Sequence, residues 1–333
     1  VPVNYFGPIS APIPKYDLYV SRLQKILGLP RRLPFFSSRR LERIQLQLKD
    51  KIKNAQHVFF WGQMPWLKCQ TEAPYSVYLD AGIRTYHDIF LPEERIAESG
   101  LKRIETLESA WLSGAAHIFW GSDWAKQEAE KTLRISNKNQ HVVWLGGNIA
   151  IPDRVIHDPQ LDFTFISLRF KEKGGYIAYE AFQKVAPKYP ARLNIIGEKP
   201  PLEVLRHDGV NYVGYLKKNN QQDLLKFKSV LEKSFCLIHP TKMDTMGHVI
   251  IEAGYFGCPT IAPSRFAIPE LIRNNETGIL LGNDFTSMDV ADAMLSLIEN
   301  PVAYEKMRHK AREFCTQNFT YDIIADKIIE EIF

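Results

Sequence analysis

Short apolar runs alternate along this chain with longer stretches of helical period. Runs of strand length, rich in β-branched and aromatic residues, fall at Val3–Phe6, His57–Trp61, Ser76–Leu79, His117–Trp120, Val142–Leu145, Phe163–Ser167, Arg192–Ile196, Tyr212–Val213, Phe235–His239, Thr260–Ala262 and Gly278–Leu280. Between many of them apolar positions recur at helical spacing, as in Arg39–Lys53, Leu101–Ser113, Trp124–Leu133, Gly175–Ala186, His248–Phe256 and Val302–Gln317. Strand and helix in alternation predict parallel sheets covered by helices, an α/β fold. With 333 residues the chain has room for two such domains. Gly146 and Gly147, followed by Asn148 and the turn-forming Pro152-Asp153, predict the joint between them. The expected division is an N-terminal domain over residues 1–149, a C-terminal domain over 150–318, and a last helix over 319–333 that packs back on the first domain. Open parallel sheets bind ligands at the carboxyl ends of their strands, so the chemistry is expected in a cleft between the domains.

Composition narrows the class. Apolar residues make up 45% and charged residues 24%, the balance of a soluble globular protein. No run approaches the roughly 20 apolar residues of a membrane-spanning helix. Val1–Ile9 has neither the basic start nor the small-residue cleavage site of a secretory leader. Cys69, Cys236, Cys258 and Cys315 are widely spaced and form no C-x-x-C pair, which speaks against a zinc ribbon or a disulfide framework and for a reducing cytosol.

The net charge of +4 conceals an asymmetry. Residues 1–53 carry 11 Lys and Arg against Asp17, Glu42 and Asp50, a balance of +8, whereas the chain from Ile151 onward stands at −2. Such a segment suits an anionic partner such as phosphate, a lipid headgroup or an acidic glycan; the alternative is a well-solvated basic face. Within it, Arg31, Arg32, Arg39 and Arg40 flank Phe35 and Phe36, a mixture suited to a membrane surface or a lipid-linked acceptor. The alternative there is a solvated loop over a buried Phe pair. No recognition module accompanies the charge, so no nucleic-acid partner is expected.

The sharpest chemistry lies in the second half. The strand Phe235–His239 runs into a loop closed by Gly247, after which the helix His248–Phe256 begins. The first-turn N–H groups and the dipole of such a helix form a phosphate site. Asp244 lies in the loop and Glu252 on the helix, where two carboxylates can address opposite ends of a polyhydroxylated ligand. Alone the pair means little, since surface helices carry such spacings routinely; a helix-capping Asp244 and a solvated Glu252 are the bland alternative. The residues around the pair add Glu252-Ala253, Gly257-Cys258-Pro259-Thr260, Ile268-Pro269-Glu270 and Glu276-Thr277-Gly278.

Together these residues resemble the paired-acid motif of the large family of retaining glycosyltransferases with the GT-B fold, the family 4-like group. The resemblance spans nearly the whole chain and is sharp from about 163 to 281. It implies two Rossmann-like parallel-sheet domains facing a cleft. It also implies a nucleotide-sugar donor, UDP- or GDP-linked, and retaining transfer to a glycan, lipid-linked or other hydroxyl acceptor, as in polysaccharide biosynthesis. No metal and no cofactor are implied. Position by position, Asp244 and the backbone at Met246, Gly247 and His248 would hold the donor sugar, and Glu252 the ribose. Lys173 matches the family's lysine on the donor diphosphate, while Arg169 stands one residue after the place of its arginine, Leu168. Tyr215 and Leu216 fall where the nucleobase packs, largely on backbone. This chain departs from the pattern with Asp244 where Glu is usual, Met246 where an aromatic is common, and Phe266-Ala267 where relatives often have two glycines.

In the first half, Asp80 ends a strand and is the candidate to orient the acceptor hydroxyl or the donor sugar, with a turn-capping role as the alternative. His87-Asp88 is the second candidate. Ser122 or Asp123 is expected to cap the helix that follows. Val3–Pro8 resembles the family's second strand, which would leave the opening strand, its glycine loop and first helix absent; otherwise Val3–Phe6 is the first strand of a reduced domain. The location implied is cytoplasmic, with peripheral contact on the inner membrane face through the basic segment. Rival readings are a non-catalytic nucleotide-sugar-binding or scaffold protein, and an epimerase or phosphorylase on the same fold.

Overall fold

The computed structural model describes all residues except Val1, Pro8, Gln63, Glu93 and 156–159. Two compact units divide the chain: residues 1–143 with 328–333, and residues 144–327.

The first unit holds α1 (Lys15–Ile26), α2 (Ser38–Ile52), β1 (Val58–Trp61), β2 (Tyr75–Leu79), α3 (Ile83–Phe90), α4 (Glu98–Ser113), β3 (His117–Trp120), α5 (Asp123–Thr132) and β4 (Gln140–Val142). Its strands form a parallel sheet in the order β1-β2-β3-β4. Alternation sends Phe60, Val77, Leu79, Ile118 and Trp120 to one face, where they pack with Leu41, Ile44 and Leu48 of α2 and Ile104, Trp111 and Leu112 of α4. Residues 2–7 join no sheet: Val3 and Tyr5 stay exposed, and an alternating apolar run without a strand edge or a face to bury does not hold as a strand. The expected strand at Val142–Leu145 is instead Gln140–Val142, because Trp144 takes a φ of +62° and breaks the extended backbone.

The Arg31–Arg40 segment is only partly an outward surface, with Arg32 and Arg39 exposed. Phe36 and Arg40 are buried, and the Arg40 guanidinium lies 3.8 Å over the Phe35 ring. It donates to the carbonyls of Ala11 at 2.8 Å and Phe35 at 3.0 Å, so the cation ties three segments together. Ser122 caps α5 by accepting the Ala125 N–H at 3.0 Å. Ser122→Ala is expected to lower stability by about 1 kcal/mol, read as a lower thermal midpoint; an unchanged midpoint would rule the cap out as a stabilising contact.

The second unit holds β5 (Leu161–Ser167), α6 (Gly175–Val185), β6 (Ala191–Gly197), α7 (Leu202–Leu205), β7 (Val210–Gly214), α8 (Gln221–Lys233), β8 (Ser234–Ile238), α9 (His248–Tyr255), β9 (Thr260–Pro263), α10 (Ile268–Leu271), β10 (Gly278–Leu281), α11 (Ser287–Glu299), α12 (Pro301–Asn318) and α13 (Tyr321–Ile332). The last residues of α13 count with the first unit. The parallel sheet runs β10-β9-β8-β5-β6-β7. Both of its faces are covered, which is why its central strands read as unbroken apolar runs. Cys236 and Ile238 of β8 point into a core with α6 and α11, and Leu237 into a second core with α8 and α9. All four cysteines are free and buried, and burial pushes the Cys69, Cys258 and Cys315 thiols up to about 12.

Candidate donor site in the second unit

Parallel strands put all their carboxyl ends at one edge, and there the loops after β5 and β8 meet. β5 ends at Ser167, whose hydroxyl accepts the Arg169 N–H at 2.9 Å and turns the chain. The loop closes at Gly174, the N-cap of α6, with φ +83°; a Cβ there would stand 2.1 Å from the Pro240 carbonyl oxygen. The β5–α6 loop therefore lies directly against the first residue of the loop after His239. That second loop ends at Gly247, the N-cap of α9, again left-handed at φ +66°.

Asp244 is the node between the two loops. One carboxylate oxygen accepts Lys173 Nζ at 2.8 Å and pairs with His239 Nε2 at 3.0 Å. The other accepts the N–H groups of Thr245 at 2.8 Å and Gly247 at 3.1 Å. Burial works to raise its pKa, but hydrogen bonds and charge from His239 and Lys173 outweigh it and hold the carboxyl well below the usual range. Asp244 thus braces the loop and the start of α9 and holds the lysine in place. The bare geometry therefore resembles the helix-capping alternative as well as the family role.

Glu252 sits in a second network on the same helix and is fully buried. Its two oxygens accept Lys218 Nζ at 2.5 and 2.6 Å, and one also accepts the Asn148 N–H at 3.0 Å. A solvated Glu252 is excluded. Asn148 further touches His248 Nδ1 at 3.2 Å, and the Gly147 N–H donates to the Tyr255 hydroxyl at 2.9 Å. Gly146 and Gly147, expected as a joint, are packed and buried against Tyr321 and Tyr255.

The other expected residues are spread. Arg169 is exposed, with Nη1 3.9 Å from Met243 Sδ. Met246 is buried. Tyr215 is exposed, and Leu216 packs against the α8–α9 core. Phe266 takes φ +57°, the left-handed region that glycine occupies at least cost, and Ala267 beside it is buried. In the first unit, Asp80 is half-buried at the end of β2. Close by in sequence, the N–H of Ile83 at the start of α3 is held by the buried Glu108 carboxylate at 3.0 and 3.2 Å. His87 Nδ1 pairs with Asp88 at 2.8 Å, a local contact on α3.

Sequence reasoning missed His239 and Lys218. His239 carried a signal: it is the polar end of an otherwise apolar strand. It is buried, and its Nδ1 finds no hydrogen-bond partner among the described residues. Lys218 carried none, since nothing distinguishes it from the neighbouring Lys217. Among the described residues, His117, His141 and Glu331 of the first unit could hold a metal ion, with ligand atoms within 4.8 Å of one another. His117 Nδ1 and His141 Nε2 are a hydrogen-bonded pair at 3.2 Å, so the cluster is also satisfied without one.

Residues 150–314 match the sequence family described as Glycosyl transferases group 1. Among similar proteins, N-acetyl-alpha-D-glucosaminyl L-malate synthase of Bacillus anthracis is 26% identical over 160 residues, 46% of this chain and 39% of that protein. The GDP-mannose-dependent alpha-(1-6)-phosphatidylinositol monomannoside mannosyltransferase of Mycobacterium tuberculosis (strain CDC 1551 / Oshkosh) is 30% identical over 154 residues, 42% of this chain and 38% of that protein. The match thus spans about two-fifths of the length of these curated relatives. Among solved structures, Anabaena Alr3699/HepE in complex with UDP superposes with a TM-score of 0.65 at 15% identity, covering 86% of this chain and 81% of that one. A glycosyltransferase from Rickettsia africae ESF-5 gives 0.64 at 16% identity, covering 94% and 92%. These likenesses show the fold, the GT-B class of two parallel-sheet α/β domains.

Proposed function

We propose, from the match of residues 150–314 to the family described as Glycosyl transferases group 1, that this protein transfers a sugar from a UDP- or GDP-linked donor to a hydroxyl of a glycan or lipid-linked acceptor, with retention of configuration. The observation that carries this is the Lys173–Asp244–His239 cluster, set at the carboxyl ends of β5 and β8 beside the N-terminus of α9. An ammonium held at a fixed place next to a helix N-terminus stabilises a diphosphate more as its charge grows.

In the proposed step the bond from the sugar's anomeric carbon to the diphosphate oxygen breaks, and its electron pair leaves with the nucleoside diphosphate. Lys173, Arg169 and the α9 N-terminus stabilise that charge. The acceptor oxygen bonds to the anomeric carbon on the same face, and its proton passes to the departing phosphate oxygen. The backbone at Met246, Gly247 and His248, held by Asp244, receives the sugar hydroxyls, and Glu252 the ribose. Tyr215 and Leu216 border the base, and Asp80 serves the acceptor hydroxyl. No metal takes part, so transfer is expected to survive EDTA.

Both bases are worth testing, since the mycobacterial relative is named for GDP-mannose and HepE was solved with UDP and UDP-glucose. The assay is nucleoside diphosphate release across a donor panel, with and without acceptors. Acceptor-dependent release is expected, and Lys173→Ala should lower kcat/KM by about 100-fold. Donor turnover without acceptor would indicate an epimerase, and a requirement for free phosphate a phosphorylase. Donor binding without turnover would indicate a non-catalytic protein.

A further inference from the structure

The helix α1 is amphipathic, but its apolar face points away from the protein. Ser21 is its buried residue, and the inward side carries polar contacts beside the half-buried Leu18: the Ser21 hydroxyl donates to the Arg32 carbonyl at 3.2 Å, and Gln24 accepts the Arg32 N–H at 3.0 Å. Tyr16, Tyr19, Leu23 and Ile26 recur at intervals of three and four residues, which places them on one stripe roughly opposite Ser21 at about 100° per residue. They are 62%, 65%, 42% and 81% exposed. Leu27 and Leu29 extend the stripe past the helix end, at 60% and 50% exposure. A contiguous exposed stripe of this kind marks a surface made to be covered.

The rim indicates the cover. Lys15, Arg22 and Lys25 line one flank of the stripe and Arg32 follows the helix, all exposed, while Asp17 is the one acid in the helix. They belong to the segment whose balance is +8 over residues 1–53. A second copy docking stripe to stripe would bring like charges together around a two-fold axis. An anionic lipid surface instead takes the aliphatic tips into its acyl boundary, keeps the tyrosine hydroxyls at headgroup level and neutralises the rim. Among the described residues no helix is long and apolar enough to cross a membrane.

We propose that α1 is the element by which this protein seats on an anionic membrane surface. The proposal does not depend on the transfer reaction, and its test needs no donor or acceptor. The full chain is sedimented with phosphatidylcholine vesicles containing roughly a third phosphatidylglycerol, and with pure phosphatidylcholine vesicles. Binding is expected to the anionic vesicles and to weaken with salt. The double variant Leu23→Ser/Ile26→Ser should lower partitioning by about tenfold or more with an unchanged thermal melt, since both side chains are exposed. Lys15→Glu/Arg22→Glu/Lys25→Glu should remove the preference for anionic lipid. Failure of the wild-type chain to bind, equal binding by the serine variant, or a dimer in gel filtration that the serine variant disperses would each overturn the proposal.

Discussion

Asp244→Ala is expected to abolish transfer and also to destabilise the second unit by roughly 3–5 kcal/mol, the cost of leaving buried partners of an ion pair unmatched. The carboxylate is the common acceptor for Lys173, His239 and two loop N–H groups, so its loss frees the lysine and unpins the start of α9 together. The sign with pH follows from its depressed folded pKa. Its contribution to stability is complete above the ordinary aspartate value of about 4 and is lost as pH falls below it toward the folded value. Chemical denaturation of wild type and Asp244→Asn should therefore show a constant gap between about pH 5 and 8 that narrows under acid. A gap that widens on acidification would show that Asp244 is not held ionised by these partners. Transfer retained by Asp244→Ala at a temperature where it stays folded would sink the assignment of this loop as the donor site.

Gly174→Ala should damage the second unit severely for so small a change. The left-handed backbone at φ +83° alone costs a residue with a Cβ about 1–3 kcal/mol. The added carbon would also fall 2.1 Å from the Pro240 carbonyl oxygen, which belongs to backbone and cannot rotate away. The loop after β8 must shift, and with it Asp244. At about 2–4 °C per kcal/mol for a unit of this size, the thermal midpoint should drop by several degrees, with donor affinity falling in parallel. Gly282→Ala is the control, since a Cβ there meets nothing within 4 Å and its φ is not positive. Equal melts for the two variants would show that the contact between the loops carries no strain.

Much of the second unit was legible because its signals are local. The strand at Phe235–His239, the glycine at 247 and the helix after it follow from apolar run, φ requirement and helical period, and each stands within two residues of its expected place. Lys173 and Asp244 were identified through a resemblance that depends on spacing along the chain. What the chain's pattern could not express was pairing across it. Lys218 reaches Glu252 from 34 residues away, and Asn148, marked in the sequence only as part of a turn, from 104. The same limit left two readings of the basic segment open, a membrane-facing surface and a solvated loop over a buried Phe pair, and tertiary packing buries Phe36, ties Arg40 to the Ala11 carbonyl and leaves helix α1 with its apolar stripe outward.

By itself, then, the sequence determined the α/β alternation, the positions of the sharp loops and the acids beside them, because these are set by backbone sterics and by periodicity over a few residues. Only the tertiary structure decided that Asp244 is a four-bonded brace and not a free acid, that Glu252 is buried on a lysine, and which face of the first unit is left uncovered. Those outcomes depend on which distant groups share a low-dielectric space, and burial and charge pairing are properties of the assembled fold.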